Sequence, residues 1–117
     1  MDEGKFKERT KRFALDVIRL VERVPRGRTA DVLGKQLLRA GTSVGANYRA
    51  ACRGRSAADV IAKLGVVEEE ADESLYWMEL LMGAKLIQAN AAEPLMLEAD
   101  EIVAMTVASI KTLRGRG

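Results

Sequence analysis

Apolar side chains recur at steps of three and four residues along four stretches of this 117-residue chain, and short breaks separate the stretches. Such spacing places the apolar residues of each stretch on one face of an α-helix. Aromatic residues make up only 4% of the chain and prolines number 2, a composition that favours helices over an all-β fold. The sequence therefore predicts an all-α fold, a single domain over residues 1–117 with helices at about residues 5–24, 29–53, 57–88 and 94–114.

Proline and glycine residues mark the breaks between the stretches. Pro25 and Gly27 fall in the first break, because proline cannot continue a helix and glycine permits the chain to reverse. Gly54 lies in the second break, and residues 90–93 are expected to form the third, where Pro94 suits the first turn of the last helix. Because each connection is only a few residues long, neighbouring helices should run antiparallel, as in an up-and-down four-helix bundle.

Small side chains are concentrated in the second stretch. Each glycine costs a helix about 1 kcal/mol relative to alanine, so packing against a neighbouring helix has to make up the difference. Small residues permit the close approach of such a neighbour. A loop or a weak strand is the alternative for this stretch, although its larger apolar residues keep helical spacing. The small residues are Gly34, Ala40, Gly41, Ser43, Gly45, Ala46, Ala50 and Ala51.

The third stretch is apolar almost all round in its second half. Tyr76, Trp77, Leu80 and Leu81 occupy faces other than the stripe that a single bundle core can cover. Burial against a second subunit is the simplest way to cover them. The sequence therefore predicts a homo-oligomer with these four residues at the subunit interface, and base stacking by the two aromatic residues is the alternative.

The residue inventory excludes several kinds of catalytic and metal site. The chain has no histidine, which excludes imidazole acid–base catalysis and histidine-ligated metals. The single cysteine, Cys52, is interpreted as a small core residue, with a reactive thiol as the alternative. Carboxylate metal sites in helical bundles normally add histidine, so the acidic cluster of the third helix is expected to pair with arginines: Glu68, Glu69, Glu70, Asp72 and Glu73. We expect a protein that is not an enzyme and binds no cofactor or metal.

The hydropathy pattern argues against secretion and membrane insertion. The N-terminal residues are charged and lack the apolar run of a signal peptide. The most apolar stretch, Leu75–Leu86, includes Glu79 and Lys85 and is shorter than the roughly 18 residues that indicate a membrane span. Together with the single cysteine, these features predict a cytoplasmic protein with no membrane partner.

Charge is distributed unevenly along the chain. Residues 1–56 contain 14 basic and 6 acidic residues, a net charge of +8, whereas residues 57–117 contain 5 and 11, a net charge of −6. Either the two halves attract each other on folding, or the basic half meets a polyanion such as RNA or DNA. Six arginines at or near the connections are the candidate phosphate contacts, with solvated or ion-paired arginines as the alternative: Arg23, Arg26, Arg28, Arg49, Arg53 and Arg55.

The antiparallel topology predicts where these arginines lie. The first and second connections fall at opposite ends of the bundle, so Arg26 and Arg28 should lie at one end and Arg53 and Arg55 at the other. No aromatic RNA-binding motif, helix-turn-helix signature or zinc knuckle accompanies them, so any nucleic-acid binding should be salt-dependent and weakly selective.

A polar stripe runs along one side of the second helix. Its four residues follow one another at steps of three, four and four: Gln36, Arg39, Ser43 and Asn47. We expect a buried polar seam that sets the register between two helices, with Arg39 paired to a carboxylate such as Glu69 or Glu73. Contact with a ligand is the alternative.

Two runs of the sequence resemble the family of four-helix bundle proteins encoded in intervening sequences of 23S ribosomal RNA genes. Residues 36–53 contain the pattern Q-x-x-R-A-x-x-S-x-x-x-N, and residues 64–77 are similar to the third helix of that family. The likeness covers nearly the whole chain. Many members carry Glu-Gly a few residues after the asparagine, where this chain has Ala50-Ala51-Cys52.

The resemblance implies an antiparallel bundle that assembles as a homopentamer, with no established enzymatic activity. It also implies a relationship to the accessory proteins of diversity-generating retroelements, which are basic pentamers that bind nucleic acid and a reverse transcriptase. We therefore expect a ring-like homo-oligomer that serves as a non-enzymatic adaptor for nucleic acid or for a nucleic-acid enzyme. The alternative function is a purely structural assembly module with no nucleic-acid role.

Overall fold

The computed structural model describes residues 2–116, and this part of the chain forms four α-helices and no strand. The helices are α1 (Glu3–Glu22), α2 (Arg28–Cys52), α3 (Ala57–Gly83) and α4 (Ala89–Arg116). The predicted all-α fold with four helices is confirmed. Each helix packs on the next, and α1 also touches α4, although less extensively than it touches α2. At about 1.5 Å per residue the longer helices run most of the length of a body of 48 × 21 × 20 Å.

The core takes its large side chains from all four helices. The largest fully buried apolar residues are Phe6, Phe13, Leu37, Met78, Leu81 and Ile102. Three hydroxyl residues are buried among them, and each donates to a backbone carbonyl one turn earlier in its own helix: Thr10, Ser74 and Thr106. Within residues 2–116 every buried side-chain nitrogen or oxygen has a hydrogen-bond partner. Hydrogen bonds therefore compensate the cost of removing these polar groups from water.

The glycines of α2 bring it close to α1. A Cβ atom added at Gly41 would lie 2.8 Å from Cγ1 of Val17, and one added at Gly45 would lie 3.2 Å from Oγ1 of Thr10. A Cβ atom at Gly34 would meet Val21 at an ordinary 3.6 Å. The second stretch is therefore helical, and its small residues allow the close approach that the sequence predicted.

The third connection differs from the prediction. It spans residues 84–88 rather than 90–93, because α3 ends at Gly83 and α4 begins at Ala89. The chain leaves α3 through Lys85, which has a left-handed φ of 61°. The Lys85 amide donates to the Met82 carbonyl over 3.0 Å and the Leu86 amide donates to the Leu81 carbonyl over 2.9 Å, a pair of bonds that closes a helix C-terminus.

Pro94 does not begin α4 but lies inside its second turn. The carbonyl that would accept from the missing proline amide belongs to Asn90, in the first turn of the helix. A proline so close to the start removes one hydrogen bond without breaking the helix, so it marks the helix start only approximately.

Replacing Lys85 with glycine should stabilise the protein by about 0.5–1 kcal/mol. A non-glycine residue in the left-handed region costs roughly 1–2 kcal/mol, and the entropy of glycine in the unfolded chain offsets part of the gain. Chemical denaturation at fixed protein concentration measures the change. The control is Ala84→Gly, one residue earlier at a helical φ of −79°, which should lower stability. Equal or lower stability of Lys85→Gly would contradict this account.

Each helix within residues 2–116 is too short or too polar to span a lipid bilayer.

Candidate functional site

The predicted arginines lie at the two ends of the bundle. The α1–α2 connection and the α3–α4 connection lie together at one end of the bundle, which we call the first end. Arg23 and Lys85 line the same cleft there. Arg26 and Arg28 belong to this end. The second end holds the α2–α3 connection with Arg53 and the last turn of α4. Arg55 lies in the same connection, so the structure places the two pairs of arginines at opposite ends.

All six candidate arginines are exposed, and within residues 2–116 their guanidinium groups form no ion pair with a carboxylate. Several other cations do form such pairs. Arg9 contacts Glu98 at 2.7 Å and Glu101 at 2.9 Å, and Arg19 contacts Asp16 at 3.1 Å. None of these guanidinium groups is therefore neutralised by a direct ion pair, although Arg26 shares a cleft with Glu22 and Asp31.

A basic groove between α1 and α2 adds to this surface. Three cations, Lys7, Lys11 and Arg49, line it together with one carboxylate, Glu8, and with small residues that include Gly45. Lys7 is partly neutralised by Glu3 at 3.3 Å, but Lys11 and Arg49 have no such partner among residues 2–116. Sequence reasoning selected Arg49 and missed Lys11, whose position opposite Arg49 depends on how the two helices are rotated.

The opposite side of the bundle is acidic. Exposed carboxylates of α3 and α4 are not paired with any cation within residues 2–116, and they are Glu69, Asp72, Glu79, Glu93 and Asp100. Because the basic half forms α1 and α2, the charge asymmetry of the sequence becomes two faces of opposite sign. Most of the two halves' charge thus remains on the surface instead of being consumed in internal ion pairs.

The polar stripe of α2 is not the buried seam that the sequence predicted. The Arg39 side chain is 47% exposed, because the stripe lies at the edge of the α2–α3 contact and not in the core. Its guanidinium donates from Nη1 to Glu70 at 3.0 Å and from Nη2 to Glu73, and from Nε to Gln36 at 3.2 Å. The expected partner Glu73 is present, and Glu70 takes the place of Glu69.

The remaining stripe residues bond along their own helix. The Ser43 hydroxyl donates to the Arg39 carbonyl, and the Asn47 amide donates to the Ser43 carbonyl, each over 2.8 Å. On α3, Trp77 Nε1 donates to Glu73 over 3.0 Å and so joins the ion pair. The stripe thus connects α2 to α3 through Arg39.

The predicted subunit interface is only partly available on the surface. Leu81 is fully buried in the chain's own core, because it lies three residues after Met78 on the inward stripe of α3, so it cannot contact a partner. Trp77 and Leu80 are half-buried, and Tyr76 is 53% exposed with its ring edge against Trp77. An interface on this part of α3 stays a prediction for the other three residues.

Cys52 lies in a setting that keeps the thiol protonated. Burial raises the pKa of the Cys52 thiol, while a hydrogen bond with the Tyr48 hydroxyl acts in the opposite direction. Burial and the same contact raise the pKa of Tyr48. A thiol with a raised pKa is a poor nucleophile at neutral pH, which favours a structural role for Cys52 over a reactive one.

Sequence reasoning missed one long-range cluster. Arg9 on α1 donates to both Glu98 oxygens, at 2.7 and 2.8 Å, and to Glu101, and its Nη1 lies 3.1 Å from the Met105 sulfur. Hydrogen bonding to Glu98 raises the pKa of Arg9. No local pattern marks partners 89 residues apart, and the cluster joins α1 to α4, the least extensive contact between any two touching helices.

No three acidic or cysteine residues between positions 2 and 116 lie together in a way that could hold a metal ion.

A known protein family matches most of the chain. Residues 3–108 match the family described as 23S rRNA-intervening sequence protein. A crystal structure of a protein of unknown function, from the S23 ribosomal protein family of Bacteroides thetaiotaomicron VPI-5482, is 34% identical. Its TM-score is 0.87, and the match covers 95% of this chain and 99% of that one. No curated protein shows significant similarity to the chain.

Proposed function

The chain belongs to the 23S rRNA-intervening sequence protein family, and from this premise we propose that it binds nucleic acid through the arginines at the two ends of the bundle. It acts as a non-enzymatic adaptor in the cytoplasm, assembled as a ring-like homo-oligomer with five subunits, and presents nucleic acid to an enzyme that acts on it. The family assignment itself supplies no ligand, so the proposal depends on the surface of the molecule.

One observation carries the proposal: the six candidate arginines are exposed, and within residues 2–116 their guanidinium groups form no ion pair, although unpaired carboxylates are present elsewhere on the protein surface. Arginine binds phosphate through a planar fork of donors, and each neutralised phosphate releases a condensed counterion. Assembly multiplies these contacts, because an oligomer presents every arginine once per subunit.

Two features support assembly from identical subunits. The basic face of α1 and α2 and the acidic face of α3 and α4 are complementary, so one copy can dock head-to-tail on the next, and such contacts form a ring when the rotation between copies closes after a few subunits. Exposed apolar residues on the acidic side, Val66, Tyr76 and Leu97, are 38%, 53% and 68% accessible and would be covered by this contact. The two ends of the bundle stay free in such a ring.

We expect RNA and DNA binding that weakens steeply with salt. In anisotropy titrations between roughly 50 and 200 mM salt, log K should fall linearly with log salt. Arg53→Gln/Arg55→Gln should lower affinity about tenfold at the lower salt and flatten the slope, because phosphate contacts are lost. The matched control Arg12→Gln/Arg19→Gln removes the same charge from the outer face of α1 and should change affinity much less.

The rival function is a structural assembly module, and the complementary faces also favour it. An intact oligomer, established by light scattering, that binds neither RNA nor DNA at low salt would overturn the nucleic-acid proposal and support the rival. Equal losses from the end pair and the control pair would also contradict the assignment to the ends, because net charge alone would then explain binding.

A further inference from the structure

A cleft of about 790 Å³ opens at the first end of the bundle. The last residues of α1, the α3–α4 connection and the first turn of α4 form its walls. Its lining includes two cations, Arg23 and Lys85, and two amide side chains, Gln88 and Asn90. Leu86 provides apolar surface beside them. We call this feature the first-end cleft.

The first-end cleft is distinguished by its charge. Its lining contains two cations and no carboxylate. Four other surface clefts each include at least one carboxylate, supplied by Glu3, by Glu8 in two cases, and by Glu22 with Asp31. Neither Arg23 nor Lys85 has an ion-pair partner within residues 2–116. The cleft therefore favours a ligand with concentrated negative charge.

The size and the remaining lining narrow the class of ligand. Pockets of roughly 300–1,000 Å³ suit small molecules, and a single nucleotide falls in that range. A terminal phosphate carries a charge of about −1.5 to −2, more than the single charge of an internal phosphodiester, and so suits a site with two cations. Pro25 and Leu86 offer apolar surface for a base, and the amides of Gln88 and Asn90 offer donors and acceptors for its edge.

We propose that the first-end cleft binds a nucleotide unit that carries a terminal phosphate, with the phosphate on Arg23 and Lys85 and the base beside Leu86. The end of a nucleic-acid strand and a free nucleotide share this chemistry. For the strand end the inference rests on the proposed function, since the rest of the strand then contacts Arg26 and Arg28 at the same end. For a free nucleotide the inference does not depend on the proposed function.

The test compares oligonucleotides of about 12 residues with identical sequence and with a 5′-phosphate, a 3′-phosphate or no terminal phosphate. The full-length protein should bind one of the phosphorylated forms about tenfold more tightly than the unphosphorylated form, as expected for a charge-assisted contact. In the variant Arg23→Gln/Lys85→Gly, the ratio of the two affinities should fall to about one. Lys85→Gly should be at least as stable as the parent chain, and Arg23 is exposed with no ion pair within residues 2–116, so loss of folding should not explain the loss of the preference.

The matched control is Arg53→Gln/Arg55→Gln, at the opposite end, which should weaken all three oligonucleotides and keep the ratio between them. A ratio of one in the parent protein would overturn the inference for strand ends and leave the proposed function standing. A free mononucleotide that binds the parent but not the double variant, without any oligonucleotide binding, would support the cleft and overturn the proposed function. Inorganic phosphate that competes as well as the mononucleotide would overturn the role given to the base.

Discussion

Substituting Gly41 with alanine should lower the free energy of unfolding by about 2 kcal/mol and the melting temperature by roughly 8 °C. The added Cβ would lie 2.8 and 2.9 Å from the two Cγ atoms of Val17 and 3.1 Å from its Cβ. Rotation of the valine cannot relieve all three contacts, because the Cβ atom does not move with χ1 and a β-branched side chain has few rotamers. Val17 is fully buried, so α1 and α2 must separate to make room.

Gly65→Ala is the matched control for this substitution. Gly65 lies in the interior of α3, and an added Cβ would meet no atom within 4 Å. It should raise stability by about 0.5–1 kcal/mol, because alanine has the higher helix propensity. A second control is Val17→Ala in the Gly41→Ala background, which should cost less than Val17→Ala alone. Similar effects of the two glycine substitutions would show that helix propensity, and not the α1–α2 contact, determines the outcome.

The periodicity that predicted four helices reflects the same physics that forms the core. Phe6, Phe13, Val17 and Leu20 follow at helical steps, and all are buried against the other helices. The close contact at Gly41 was predicted in kind, since small residues in a helix indicate a near neighbour. Which neighbour, and which residue on it, could not be predicted, because that depends on the rotation of α1 about its own axis.

The predicted position of the third connection was wrong because Pro94 suggests a later helix start and no residue type marks the actual end of α3. Pro94 is a strong marker of helix starts, yet the helix tolerates it in its second turn. The turn at Lys85 has a left-handed residue where glycine is usual, and lysine gives no indication of it. Helix ends are set by a few local hydrogen bonds, which tertiary contacts override easily.

The composition of the second half of α3 predicted exposed apolar surface but not which side chains would be exposed. An apolar helix end was expected to need a partner, and Tyr76 does remain 53% exposed. Leu81 nevertheless belongs to the inward stripe, since it lies three residues after Met78. Composition shows that excess apolar surface is present, whereas the rotation of the helix determines which side chains carry it.

The positions of the arginines, in contrast, could be predicted from the topology of the bundle alone. Short connections require antiparallel helices, so residues on successive connections lie at opposite ends whatever the details of packing. Whether these arginines pair with the acidic half was open from the sequence. They form no ion pair within residues 2–116, even though Glu22 and Asp31 line the same cleft as Arg26.

Reversing the charge of Arg39 should destabilise the protein by about 2–3 kcal/mol, measured by chemical denaturation at fixed protein concentration. Glu70 and Glu73 are 14% and 35% exposed in their side chains, so a third carboxylate beside them is only partly screened by water. Arg39→Met should cost about 1 kcal/mol, since it removes the pair without adding repulsion, and the 47% exposure of Arg39 limits the loss. Unchanged folding and assembly of Arg39→Met would contradict a structural role for the stripe.

The design of this experiment separates the ion pair from charge in general. Arg19→Glu makes the same change at a pair with Asp16 within α1, where the arginine is 69% exposed, and should alter stability by less than about 1 kcal/mol. The exchange Arg39→Glu/Glu73→Arg restores opposite charges across α2 and α3 and should recover part of the loss. Fluorescence of Trp77, the single tryptophan, reports the site directly because its indole donates to Glu73. If the spectrum changes with Arg39→Glu while stability does not, Arg39 orients Glu73 and Trp77 without holding the helices together.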